Sequence, residues 1–165
     1  MAPSIDQRIA LELTFPGDGE MARLSRAFDW ASSPLGPVDT WPPCLTVTVR
    51  NLLTCCSPMF LYWGPELIQF YNDAYRPSLG DDGRHPRALG ASGPGFWADI
   101  WPVIGPELDA VLGHGEATWH EDQHIPLDPD GRRDDVWRTC GYSPVFTASG
   151  SIGGVLVMCQ ATTQR

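Results

Sequence analysis

His120-Glu121-Asp122-Gln123-His124 spells His-Glu-x-x-His, the residue set with which zinc peptidases hold a metal and activate water. That chemistry needs both imidazoles on one face of a helix, about 6 Å apart, with the glutamate as general base. The flanks argue for a strand: His120 stands five positions after Gly115, and Pro126 closes the run. In extended backbone the two histidines would share a face about 13 Å apart, too far to ligate one tetrahedral ion. No downstream His or Glu stands at a familiar third-ligand spacing, so no metal site and no catalytic residue is expected. A small zinc hydrolase built on His120, Glu121 and His124 is kept as an alternative. Asp128, Asp130, Asp134 and Asp135 around Gly131 gather carboxylates but lack the loop spacing and closing Glu of a calcium site. They read as an acidic hairpin turn.

The other reactive side chains narrow the chemistry further. Cys44, Cys55, Cys56, Cys140 and Cys159 are an odd number without C-x-x-C spacing. Neither a disulfide framework nor a structural zinc site is expected, and a reducing, cytoplasmic setting fits. Cys140 and Cys159, on neighbouring expected strands, read as small buried hydrophobes before they read as a redox pair. All eleven basic residues are arginine, which removes a Schiff-base or P-loop lysine. A net charge of −9 argues against nucleic acid and against an anionic membrane surface as partners. No apolar window is long enough for membrane insertion, and MAPSIDQRIALEL lacks the regions of a signal peptide.

What remains is aromatic. Trp97 and Trp101 are expected on one helix face, Trp119 and Trp137 on facing strands, and Tyr71, Tyr75 and Tyr142 nearby. With Ile104 and Met158 they make the candidate lining of a pocket for a planar or hydrophobic small molecule. The same side chains would equally fill a core without a cavity, and the sequence leaves both open.

The elements that position these residues follow from turn signals and apolar spacing. Residues 1–17 read as a tail ending at Pro16-Gly17. Asp18 is the expected cap of a helix with Met21, Leu24, Phe28 and Ala31 on its apolar face. After a proline-rich loop over 32–43, Leu45, Val49, Leu52, Leu53 and Cys56 line a second helix, which Ser57-Pro58 ends. Met59 to Trp63 and Leu67 to Tyr71 flank Gly64-Pro65 as a hairpin. Asn72 then caps a short helix that Pro77 and Gly80 close. Arg84 to Leu89 supplies about one helical turn. A longer helix through Trp97, Trp101, Ile104, Leu108 and Val111 is kinked or divided at Pro102 and Pro106 and ends at Gly113 and Gly115. Strands are expected over 116–127, 136–146 and 152–160, the last and most apolar in the centre. The result is an α+β domain, a five-stranded antiparallel sheet with helices on one face and an N-terminal helical extension.

From Leu35 to Thr163 the chain resembles the amino-terminal PAS sensor domains of bacterial sensor histidine kinases. The matches are PLGPVDTWP, PMFLYWGPELIQFYNDAYRPSLG, HPRALG, WADIWPVIGPELDAVLGHGEATWHED and YSPVFTASGSIGGVLVMCQATT, in that order. The resemblance implies a PAS core over 58–165 behind an extension over 1–57, with no catalytic activity of its own. It implies a sensory input domain that binds a small molecule or cofactor, pairs as a homodimer, or both, and regulates a downstream signalling domain of the same polypeptide. A ligand-free dimerisation module is the alternative. Covalent flavin-cysteinyl chemistry is disfavoured, because ALGASGPGFW, where that family carries its cysteine, has none. Haem is disfavoured too, since only His114 stands on the long helix. Non-covalent flavin or a small organic ligand remains open. The signalling end departs from the family's Asp-x-Thr, reading Gln160-Ala161-Thr162, and the chain stops at Arg165 where a coiled-coil connector would begin.

Overall fold

MFLYWGPELIQFY folds as the expected hairpin. Strand β1, Met59–Trp63, pairs antiparallel with β2, Ile68–Tyr71, setting Phe60 opposite Tyr71 and Leu61 opposite Phe70. Gly64 turns the chain at φ 78°, a left-handed angle that a side chain would strain. The computed structural model describes residues 2–80, 83–125 and 136–162. Three further strands complete the sheet: β3, Thr118–Ile125, β4, Val136–Phe146, and β5, Ile152–Thr162. The order is β2-β1-β5-β4-β3, every pair antiparallel. The apolar run IGGVLVMCQ is therefore central, as expected, and the strand continues two residues beyond it. The acidic turn with Asp128, Asp130, Asp134 and Asp135 lies outside the described residues.

Alternation along β1 and β5 divides the side chains between two faces. Phe60, Tyr62, Val157 and Cys159 turn inward, toward helix α6, Trp101–His114, which packs on β3, β4 and β5. Leu61 and Phe70 turn outward and are covered by the N-terminal extension. Phe70 stacks on Trp30 at 5.0 Å between ring centroids and meets Trp41 edge-on at 5.6 Å. Helix α3, Pro43–Thr54, buries Leu45, Val49 and Leu52 and packs on β1 and β2. So the extension and the sheet share one buried apolar cluster.

Several expected elements differ. Residues 1–17 are not a tail: helix α1 spans Ile5–Thr14. Ser4 Oγ accepts from Gln7 N, and Gln7 Oε1 accepts from Ser4 N, a reciprocal cap at its start. Phe15 behind it is wholly buried. Helix α2, Glu20–Ala27, is capped by Gly19 and not by Asp18, and stops before Phe28 and Ala31. Its Met21 N–H donates to Asp73 Oδ1 at 2.8 Å, and a Cβ on Gly19 would stand 2.2 Å from Asp73 Oδ2. A carboxylate distant in sequence thus caps this helix, and glycine leaves room for it. Asn72 is not the cap residue: its Oδ1 accepts from Tyr75 N at 3.0 Å, one turn ahead of the element, and Tyr75 holds the cap position without a side-chain capping bond. The element is a 3-10 turn, Arg76–Leu79, with Pro77 in its first turn, where a missing N–H leaves nothing unpaired. Gly80 ends it.

The expected long helix is two. After α4, Arg84–Arg87, helix α5 spans Gly93–Phe96, and α6 begins at Trp101 with Ile100 as cap. Pro102 has no N–H for a helical bond to residue 98, so the helix restarts with that proline in its first turn. Pro106 sits inside α6 without ending it.

Candidate functional site

The space between α6 and the sheet is the first candidate, and it is nearly full. Phe60 and Tyr62 of β1, Tyr75, Ile104 of α6, Cys140 and Tyr142 of β4, and Val157 and Cys159 of β5 enclose about 30 Å³. That is room for about one water molecule. Rings close it: Phe60 lies 4.8 Å from Tyr62, 5.0 Å from Tyr75 and 5.7 Å from Tyr71 by centroid, the last pair stacked. Burial raises the hydroxyl pKa of Tyr62, Tyr75 and Tyr142 well above the usual phenol value, so all three are neutral donors.

The expected pocket residues separate into groups. Tyr75, Ile104 and Tyr142 line this cavity, while Tyr71 and Trp97 stand behind Phe60. Trp97 caps α5 and Trp101 opens α6, so they do not share a helix face. Trp101 is half-buried against Gly93 and Gly105, where a Cβ would come within 3.3 and 2.6 Å of its ring. Trp119 and Met158 lie on the outer face instead, 60 % and 46 % exposed. Strand parity explains this: Met158 neighbours the inward Val157 and Cys159, and Trp119 is opposite Gly141, which neighbours the inward Cys140 and Tyr142. Trp137 is opposite His124 and Thr162 in register, and its side chain lies outside the described residues. Phe60 and Tyr62 were missed as lining, although their period-two spacing with Tyr75 downstream carried the signal.

The His-Glu-x-x-His run is a strand. His120 is opposite Cys140, and a bulge before Gln123 leaves His124 opposite Trp137. Cys140 and Trp137 are an odd number of residues apart, so the two histidines hold register positions of opposite parity. A regular strand would have kept the two at positions of the same parity; the bulge breaks that register. His120 Nε2 meets Glu107 Oε2 of α6 at 2.6 Å, tying the edge strand to the helix. Among the described residues no three His, Cys, Asp or Glu side chains are grouped to hold a metal ion.

Two buried polar groups adjoin the core. Arg138 is only 5 % exposed; one guanidinium nitrogen donates to Ser78 O at 3.3 Å, and Nε has no partner among the described residues. Its charge lies 5.9 Å from the Tyr75 ring. His85 is held between Tyr71 Oη, 2.8 Å from Nδ1, and Glu20 Oε1, 3.1 Å from Nε2. The carboxylate can only accept, so Nε2 carries the proton and Nδ1 accepts from the tyrosine. Burial lowers the His85 pKa against the pull of Glu20, with Arg76 reinforcing burial. Nothing in the spacing of these residues foretold their meeting.

The second candidate site is the outer face. Where α3 ends, Ser57 and Pro58 border a groove of about 300 Å³ floored by β3, β4 and β5. Trp119 and Met158 are its large apolar side chains, with Thr139, Gly141, Ser143 and Gln160 around them. The Trp119 ring lies over Gly141, where a Cβ would be 3.1 Å from Cε3. Of the expected signalling end, Gln160 is exposed at the groove's rim and Thr162 lies in β5.

No protein-family model matches the sequence, and no curated protein matches it. Solved structures do. The PAS domain of BvgS from Bordetella pertussis superposes with a TM-score of 0.52 at 16 % identity, over 70 % of this chain and 83 % of that one. The Vibrio cholerae VqmA dimer in the absence of target DNA gives 0.53 at 16 %, over 71 % of this chain and 51 % of that one. VqmA bound to DPO gives 0.53 at 15 %, over 72 % and 58 %. This chain therefore spans little more than half of the VqmA chains. At these identities the likeness is one of fold, and the fold is that of PAS domains.

Proposed function

We propose that this chain, having the PAS fold, is a sensory input domain of a cytoplasmic bacterial signalling protein, and that it works by pairing with a second copy. The downstream output would be a histidine kinase or a similar domain of the same polypeptide, with no catalysis here. The observation that carries this reading is the contrast between the two sheet faces. The inner face is filled to about 30 Å³, while the outer face of β3–β5 leaves Trp119 and Met158 exposed over about 300 Å³. Large aromatic and Met side chains in a polar rim are what a protein interface offers. The VqmA likeness, with a structure described as a dimer, supports the same assembly. A charge of −9 argues against nucleic acid or an anionic membrane as the partner. A change in pairing would reach the output through β5 and its end at Gln160 and Thr162, as a population shift.

The test is the solution mass by light scattering across a concentration series, for the wild type and for Trp119→Glu and Met158→Glu. The wild type is expected at twice the chain mass and both variants at the chain mass, with unaltered circular dichroism. A wild type that stays monomeric, or variants that pair as well as it does, would count against the reading.

A second reading, a small ligand between α6 and the sheet, is favoured by the orphaned Nε of Arg138 beside Tyr75. A flavin or haem needs several hundred Å³, about ten times the space present, so the rings around Phe60 would have to part. Native mass spectrometry of the purified domain separates the readings, a bound organic mass supporting the second.

A further inference from the structure

Cys140 of β4 and Cys159 of β5 stand directly opposite one another in the sheet. Opposed residues of an antiparallel pair have Cα atoms about 4.5 or about 5.5 Å apart, inside the span of about 4.4–6.8 Å that a disulfide bridges. Both side chains point to the inner face, both are buried, and both line the cavity of about 30 Å³. That space admits one molecule of about the size of water, which excludes bulky thiol reagents but not a small oxidant. We propose that Cys140 and Cys159 form an oxidisable dithiol that closes to a cross-strand disulfide when hydrogen peroxide reaches this cavity.

The atoms balance as follows. The Cys140 thiolate attacks one peroxide oxygen, the O–O bond breaks, and the departing hydroxide takes up the thiol proton as water. Cys159 sulfur then attacks the sulfenic sulfur of Cys140, the S–O bond breaks, and that hydroxide leaves with the Cys159 proton as a second water. Two thiols lose two electrons and two protons, and peroxide is reduced. The order of attack follows from the surroundings. Cys159 hydrogen-bonds the Cys140 sulfur and holds its pKa down, against burial, and the Arg138 guanidinium helps. The same hydrogen bond, with burial, pushes Cys159 up. Cys140 is thus the nucleophile and Cys159 the resolving thiol. This inference goes beyond the signalling reading and holds whether or not the domain pairs.

The sequence provides a clean readout. No Arg or Lys occurs between Thr139 and Gln164, so trypsin releases both cysteines, and no other, in one peptide over 139–165. The intact wild-type protein is treated with hydrogen peroxide, quenched, denatured, alkylated with iodoacetamide and digested. The expected peptide is two hydrogens lighter, carries no alkyl group, and gains two alkyl groups after reduction. In Cys159→Ser, denatured into dimedone after the peroxide treatment, Cys140 should be labelled several-fold more than in the wild type, because no second thiol is left to resolve its sulfenic acid. A wild-type peptide with two alkyl groups after the exposed Cys56 is fully oxidised would overturn the proposal. So would a sulfinic acid at either position, or a link from either to Cys44, Cys55 or Cys56, as the main product. The wild-type map stands even if a variant does not fold.

Discussion

Replacing Asn72 with alanine should be among the most damaging single changes in the chain, and the structure sets its size. Asn72 is buried, and its amide joins four stretches of backbone. Oδ1 accepts from Met59 N at 3.1 Å and Tyr75 N at 3.0 Å. Nδ2 donates to Leu52 O at 3.1 Å, Cys55 O at 3.3 Å and Ser57 O at 2.8 Å. Two of these groups keep another partner: Leu52 O accepts from Cys55 N, and Tyr75 N also donates to Asn72 O. Removing the amide therefore strands Met59 N, Cys55 O and Ser57 O. At about 1 kcal/mol or more for each secluded group left unpaired, the loss is about 3–5 kcal/mol, a large part of the roughly 5–15 kcal/mol a domain has. Urea unfolding followed by tryptophan fluorescence reads it. With a slope of about 2 kcal/mol per molar, the midpoint should fall by about 2 M. Asn72→Asp sharpens the test, because it keeps the acceptor and turns a second oxygen toward three carbonyls. That repulsion raises the new carboxyl's folded pKa above its unfolded value, so its stability contribution is present at acid pH. It is lost as pH rises through the folded pKa. A midpoint shift under about 0.5 M for Asn72→Ala, or an Asn72→Asp variant no more stable at pH ~5 than at pH ~8, would refute the reasoning.

Further perturbations read other parts of the structure. His85 is depressed by burial, so the unfolded chain binds its proton first; stability is full above its ordinary value of 6.5 and falls as pH drops toward the folded value. His85→Gln should flatten that slope in thermal melts taken between pH ~7 and ~5.5. Glu20, Arg76 and Asp73 are the charged groups facing it. Gly154→Ala would put a Cβ 2.4 Å from Tyr62 O, across the β1–β5 pairing, and should cost about 2–4 kcal/mol by urea titration. Trp119→Glu, changing an exposed side chain, should leave the monomer's unfolding free energy in urea within about 0.5 kcal/mol of wild type.

The parts of the fold that the sequence made legible are those where local signals and tertiary packing agree. The hairpin around Gly64 and the central place of IGGVLVMCQ needed only period and apolarity. What was not legible depends on distant partners. Asp73 supplies the cap of α2 from another part of the chain, so Asp18 looked like the cap. Helix α1 hides Phe15 but leaves Ile5, Ile9 and Leu13 exposed, so its apolar spacing misstates which face is buried. The candidate lining divides by parity: Tyr75, Ile104 and Tyr142 line the inner cavity, and the sheet sends Trp119 and Met158 to the opposite side.

That division of faces bears on function. An antiparallel sheet can leave one face to water, and then its outward residues are polar. Here α3 covers β1 and β2 and ends at Thr54, and the chain enters β1 through Ser57 and Pro58 at the groove's edge. Beyond that edge Thr139, Ser143 and Gln160 are what a wetted face requires, and Trp119 and Met158 are not. Core packing does not explain them: on this face the core is the patch between α3 and β1–β2, and Trp119 and Met158 stand outside it, 60 % and 46 % exposed. A second helix of the extension could have covered them, but α1 and α2 are engaged elsewhere: α1 packs on α3, and α2 is capped by Asp73. Two large apolar residues among small polar ones are too few for a permanently buried face and too many for a purely solvated one. That composition is what the pairing proposed above would need, contacts that form and release.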